Sequence, residues 1–400
     1  MAQQTINVGA APNDGTGDPA RTSFTKCNDN FTELYAANTN FLTTAVAAAT
    51  YQPLDADLTA IAALAGTNNI YYRSGTDTWT SVTIGSNLTF TAGVLDAVGG
   101  SSGNVAIPQG RLTLQTATPV MITTQSAKTT IYYTPYTGML VPIYNGTVFT
   151  MTSIGAELSQ TTTDTTKSPA AVVANSNYDL FVWSDAGTMR CTRGPAWTNA
   201  TTRSAGTALV MVNGIWLNNA AITNGPAASR GTYVGTVRSN ASSQIDWIYG
   251  GLAANGTAGV FGVWNAYNRV KVMSLCAAST DSWTYASATV RSANAANTMR
   301  HSFVSGLEYD AFYAAHWGMG AGVGVCVGIG FDVTNAFSGR MLGNYNASAT
   351  PVMGDYATTA LGFHFFQACE ASWNATTMTF YGDNTTPTVQ QSGLMFEGWM

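Results

Sequence analysis

Two repeats of apolar and polar positions divide the chain. From residue 24 to residue 48 the repeat is a heptad, with Phe24, Phe31, Asn38 and Ala45 at a positions and Cys27, Leu34, Phe41 and Ala48 at d positions. That spacing puts one stripe along a helix about 45 Å long. A lone Asn at an a position, here Asn38, is a device that fixes register in coiled coils. The stripe has two readings, a coiled-coil seam or an amphipathic helix packed on its own domain. Asp18 is the expected N-cap and Pro19 fits the first helical position. Tyr51-Gln52-Pro53 ends the helix. A second short helix is expected at 55–65, with Leu58, Ile61 and either Leu64 or Ala65 on one face and Gly66 as its stop.

Beyond residue 66 the period falls to two. Residues 78–84 alternate, and 87–90 with 93–96 read as a hairpin. Gly99-Gly100-Ser101-Ser102-Gly103 is a flexible linker. Asn145-Gly146 between 139–144 and 148–151, and Asn213-Gly214 between 208–212 and 215–217, carry the type I′ hairpin signature. Ser184-Asp185-Ala186-Gly187 separates another pair, and 231–238 is one more strand. Later strands are expected at 299–307, 321–331, 361–366 and 378–381, and the apolar run 394–400 reads as a strand closing a sheet. The expected fold is mainly β: an N-terminal helical coiled coil, a short β shaft, then β-sandwich-like domains. The boundaries are 1–65, 66–108, 109–250 and 251–400.

Composition narrows the function. Only 9% of the 400 residues are charged and the net charge is −5, while aromatics reach 11%. Disorder goes with few aromatics and high net charge, and nucleic-acid binding needs a basic stripe. A neutral, hydroxyl-rich surface suits carbohydrate or self-association instead. Five scattered cysteines without a CxxC pair exclude a zinc site or redox dithiol and point to a reducing cytoplasm. The first residues lack the regions of a signal peptide. The most apolar stretch, 318–331, is too short to insert in a membrane.

Candidate chemistry is sparse. His301, His316 and His364 have no metal spacing. His364 reads as a packed core residue and His316 as a surface candidate. Glu308 and Asp310 would share a face on a strand, and paired carboxylates are the equipment of glycoside hydrolysis, but a solvated turn is the preferred reading. The glycines of 320–328 lack dinucleotide-loop spacing and fit close strand packing. No catalytic residue, metal or cofactor is assigned.

Asn13-Asp14-Gly15-Thr16-Gly17-Asp18-Pro19, then Arg21, Phe24 and Asn28-Asp29-Asn30-Phe31-Thr32-Glu33-Leu34-Tyr35, resembles a recurring N-terminal module of tailed-bacteriophage fibre proteins. Gln52-Pro53-Leu54-Asp55-Ala56-Asp57-Leu58-Thr59-Ala60 is similar to a short fibre-shaft motif. Tyr132-Tyr133-Thr134-Pro135-Tyr136, Tyr144-Asn145-Gly146, Tyr178-Asp179-Leu180-Phe181, Arg230-Gly231-Thr232-Tyr233-Val234-Gly235 and Trp264-Asn265-Ala266-Tyr267-Asn268-Arg269 resemble a domain of phage structural proteins. Cys27 departs from the module, which has a larger aliphatic residue there. The resemblance implies an elongated homotrimer on the virion, assembled in the host cytoplasm. Its N-terminus would join other virion proteins, and Phe24, Cys27, Phe31, Leu34, Asn38 and Phe41 would form the coiled-coil core. The far, C-terminal end would meet a host receptor, carbohydrate among the candidates, through Tyr313, His316, Trp317, Trp373 and Tyr381. A head-fibre decoration protein and a tailspike depolymerase are the alternatives.

Overall fold

The structure of the chain, a computed structural model, describes residues 4–38, 56–66, 69–85, 88–97, 105–383, 385 and 389–400. It is mainly β, with 45% strand against 9% helix. The chain divides into two units, Met1–Val98 and Gly99–Met400.

In the first unit a loop precedes the helix Ala20–Asn38. The Asp14 carboxylate accepts the backbone N–H of Thr16 (2.8 Å) and those of Ala11 and Ala10 (2.7 Å each). These bonds hold its pKa down at about 2. Asn13, Gly9 and Gly15 take positive φ around it, and a Cβ on Gly9 would lie 2.7 Å from an Asp14 oxygen. Asp18 does not act as the expected cap. Its carboxylate takes the Lys26 ammonium (2.5 Å) and the Asn7 N–H (2.8 Å), clasping the loop to the helix side. The second helix is Ala56–Ala62. The expected hairpin forms between Leu88–Thr91 and Val94–Ala97, and another pairs Tyr71–Gly75 with Thr78–Ser81. Phe41, Ala45, Ala48, the Tyr51-Gln52-Pro53 break and the 99–103 linker lie outside the described residues.

The second unit is built from sheets that share a core. The largest orders Leu342–Asn344, Val325–Phe331, Gly362–Ser372, Arg300–Ser305, Gly259–Phe261, Ile245–Ile248 and Gln125–Lys128, with Arg291–Ser292 beside Gly362–Ser372. A seven-stranded sheet orders Leu252–Ala253, Lys271–Ala278, Gly393–Trp399, Phe312–Ala321, Met378–Tyr381 and Ser282–Tyr285, with Thr350–Thr358 on the other edge of Phe312–Ala321. The C-terminal apolar run is thus an interior strand. The inward residues of the two sheets interlock through phenylalanines: Phe303 with Phe312 at 4.2 Å, Phe261 with Phe396 at 5.0 Å, and Phe366 with Phe396 at 6.3 Å between ring centroids. One core cluster runs from Leu112 to Met400. The expected division between 250 and 251 separates no cores, because Gln125–Lys128 and Ile245–Ile248 belong to the same sheet as Arg300–Ser305. The buried Arg111 reinforces this, donating to the carbonyls of Pro119 (2.8 Å), Asn268 and Met400 (3.1 Å).

Turn chemistry decides the hairpins. Asn213 and Gly214 take φ of 46° and 82° between the paired Val212 and Ile215, as a type I′ turn requires. Ala186 and Gly187 do the same between Asp185 and Thr188. Asn145-Gly146 differs: Tyr144 pairs with Phe149 across four loop residues, and of the two only Gly146 has positive φ. The Asn145 side chain caps this loop by accepting the N–H of Thr147 and Val148, both at 2.9 Å. Since the phenylalanine cluster holds both large sheets, Phe303→Ala is expected to lower unfolding free energy by about 3–5 kcal/mol in chemical denaturation. A loss under about 1 kcal/mol would show that the sheets do not depend on it.

Candidate functional site

Strand parity sorts the five residues expected to meet a receptor. Phe312–Ala321 alternates between the core and the outer side of its sheet. Tyr313 and Trp317 fall on the outer side. His316, one residue away from Trp317, must face inward and is 1% exposed. The expectation of a surface histidine is therefore wrong. Tyr381 pairs with Met319 and so joins Tyr313 and Trp317. Trp373 lies elsewhere, in the turn after Gly362–Ser372.

The outer face is a regular grid. Across Lys271–Ala278, Gly393–Trp399, Phe312–Ala321 and Thr350–Thr358, one row holds Met273, Glu397, Tyr313 and Ala357. The next holds Leu275, Met395, Ala315 and Asp355, and the third Ala277, Gly393, Trp317 and Met353. Met273, Leu275, Met353 and Trp399 are exposed, and Trp317, Met319, Met395 and Tyr381 are half-buried. The Trp317 ring lies over Gly393, where a Cβ would meet it at 2.6 Å. At one margin the exposed Arg340 guanidinium grips Asp355, with Nε 2.7 Å from Oδ1. The Arg340 contact holds the Asp355 carboxyl below its usual range. At the other margin Lys271 pairs with Glu397 at 2.7 Å.

A second surface feature gathers at the ends of the strands. The turns at 322–324, 344–349 and 372–376 are tied together: Trp373 N–H donates to the Gly324 carbonyl and Gly324 N–H to the Asn344 carbonyl, both at 2.7 Å. Asn374 donates to the Val323 carbonyl at 3.0 Å. They enclose an open cavity of about 210 Å³ lined by Trp373, Tyr345, Met341, Asn344 and Cys326. Trp373 is 52% exposed and Tyr345 73%, although both are large aromatics. No carboxylate or basic side chain lines the cavity, so it suits a neutral ring with an apolar face. The sequence marked Trp373 but not Tyr345 or Met341, because the strand Leu342–Asn344 that brings them in is only three residues long.

The remaining candidates are structural. Glu308 and Asp310 lie in the bend between Arg300–Ser305 and Phe312–Ala321, and Asp310 is ion-paired with Arg269. In the 320–328 stretch, Gly322 and Gly324 take positive φ at the turn, while a Cβ on Gly328 would meet the Phe337 ring at 2.5 Å. The helical stripe is open within its unit: Phe24, Phe31 and Leu34 are 53–70% exposed, Cys27 is intermediate, and Asn38 is the last helical residue. No protein-family model matches the chain, and no curated protein matches its sequence.

The three histidines differ in charge state. Burial pushes His301 and His316 down to about 4, only partly offset by the carbonyls of Leu394 (3.1 Å) and Gly328 (3.3 Å). Each ring has one nitrogen on a carbonyl and the other buried without a partner. His364 is the reverse: burial alone would lower it, but the Asp332 carboxylate at 2.6 Å and the Leu361 carbonyl raise it. A histidine depressed on folding stabilises the fold above its unfolded pKa of about 6.5. That contribution, on the order of 3 kcal/mol each for His301 and His316, is lost as pH falls from 6.5 toward 4. His364 works with opposite sign, stabilising below pH 6.5 and losing its contribution as pH rises through its raised folded value. Thermal melting from pH 7 to pH 4 is expected to fall less steeply for His316→Gln, which takes up no proton, than for the unmodified chain. Equal slopes would mean that the buried imidazole does not carry the acid sensitivity.

Proposed function

We propose that this chain is a non-catalytic fibre protein of a tailed-phage virion, a homotrimer that binds a host surface receptor through the C-terminal part of its second unit. The observation that carries the reading is the helix Ala20–Asn38, whose Phe24, Phe31 and Leu34 stand exposed in a line. Left in water, three such side chains forgo roughly 1.5–3 kcal/mol of burial each, which a seam between helices recovers. The heptad continues in the sequence beyond the described helix, through Phe41 to Ala48. Cys27 is a small knob in that seam, and the aromatic a positions on either side supply most of its apolar volume. The loop organised by Asp14 and Asp18 supports the reading of residues 4–18 as an attachment element, since it is ordered by its own hydrogen bonds.

Binding rather than catalysis is supported by the fate of the acid–base candidates: Asp310 is engaged by Arg269, and all three histidines are buried. The receptor surface is best sought at the Trp373 cavity, where two aromatic faces flank neutral polar groups. That chemistry fits the apolar face of a sugar ring. Of the five residues expected from sequence, Trp373 keeps the receptor role, joined by Tyr345.

The native mass of the full chain at micromolar concentration is expected near three times 42.0 kDa. A monomer would remove the fibre architecture. Trp373→Ala and Tyr345→Ala are exposed changes and should alter stability by less than about 0.5 kcal/mol. Each should weaken adsorption to host cells by roughly tenfold or more, the scale of losing an aromatic anchor. Unchanged adsorption in the double variant would place the receptor site elsewhere.

A further inference from the structure

We propose that the outer face of the seven-stranded sheet packs against other copies of this chain, as a second self-association surface distinct from the helical stripe. The size of the face is the first reason. Four strands about 4.8 Å apart and roughly 30 Å long cover on the order of 600 Å² in plan. That is close to one side of a standard interface of about 800 Å². Its exposed members are Met273, Leu275, Met353 and Trp399, large side chains that a sheet facing solvent normally replaces with polar ones.

The shape of the face is the second. Ala277, Ala315 and Gly393 lie in adjoining strands and are buried, Gly393 beneath the Trp317 ring, so the face is closed at its middle and offers a neighbour a continuous surface rather than a groove. Methionines around it supply adaptable packing.

Charge selects the occupant. The margins carry Lys271 and Arg340 against Glu397 and Asp355, two positive and two negative groups, so the sum is zero. A face with a net charge of one sign would repel its own copy, because like charges set opposite each other cost free energy. A face of balanced charge with both signs at its margins is complementary to itself, as contacts between identical chains require.

This surface extends the assembly proposed above but does not rest on the helix, and native mass of the full chain separates the two. Phe24→Ser, Phe31→Ser and Leu34→Ser together disable the stripe. That variant is expected to remain oligomeric at micromolar concentration. Adding Leu275→Glu and Met353→Glu is expected to weaken association by roughly 100-fold and give a 42.0 kDa monomer. Both added sites are exposed, so circular dichroism should match the parent. If that pair fails to fold, Met273→Glu with Trp399→Ser probes the same face. A stripe variant that is already monomeric would overturn the sheet interface and leave the helical seam standing. Monomers from the sheet changes alone would support the sheet interface and overturn the helix as the main seam. A monomeric unmodified chain would overturn both.

Discussion

The second unit depends on the interlock of Phe261, Phe303, Phe312, Phe366 and Phe396 between its two large sheets. These rings come from strands far apart in sequence, so none of the strands has a core until all are present. The interlock commits one face of each sheet to the interior. Because the side-chain period of a strand is two, everything on the opposite face is then decided. Trp317 points out because Phe312 points in. His316 is buried for the same reason, and its neutral state follows from burial rather than from any task.

Local signals in the sequence were legible where the physics is local. Asn213-Gly214 sits between strands in register and makes the turn that its φ requirements predict. The 88–97 hairpin follows equally from neighbouring residues. Asn145-Gly146 carries the same dipeptide yet closes a four-residue loop, because the Asn145 side chain bonds two backbone N–H groups of the loop itself. Asp18 has the sequence of a cap, but its carboxylate is claimed by Asn7 and Lys26, partners that no neighbouring residue announces. The strand Phe312–Ala321 hid its parity, since Ala314, Ala315 and Gly318 are small on both faces and give no visible alternation. The cut expected at 250 failed for a topological reason: Gln125–Lys128 pairs with Ile245–Ile248, and no local signal announces a partner that far along the chain.

The scarcity of charge acquires a structural meaning. Several of the few charged residues act as internal ties rather than as a solvated coat. Arg203 grips the buried Asp179 with bonds of 2.8 and 2.9 Å, and Thr236 adds a third to the same carboxylate at 2.7 Å. Arg291 and the Trp283 indole hold the fully buried Glu370 at 2.8 and 2.7 Å. Removing one partner of such a pair strands a buried charge, at a cost of about 3–5 kcal/mol. With carboxylates and guanidiniums spent inside, the sheet face and the turn cavity are left neutral, a condition that opposes nonspecific ionic binding and permits apolar contact.

The two surfaces of the second unit are compatible because they lie in different directions on the strands. The outer face is presented perpendicular to Phe312–Ala321, whereas the Trp373 cavity is made by the turns at the ends of the neighbouring strands. Trp373 and Tyr345 are not among the residues of the outer face, so covering the first does not require covering the second. An assembly built on the sheet face would then display one aromatic cavity per chain in a fixed geometry. A single neutral ring stacked between Trp373 and Tyr345 is a weak contact. Several engaged at once on a repetitive cell surface gain by effective concentration, by factors of roughly 10² to 10⁴ where the spacing fits. Self-association on the proposed face would thus serve a purpose beyond stability: it would turn a shallow, uncharged site of low intrinsic affinity into a firm attachment.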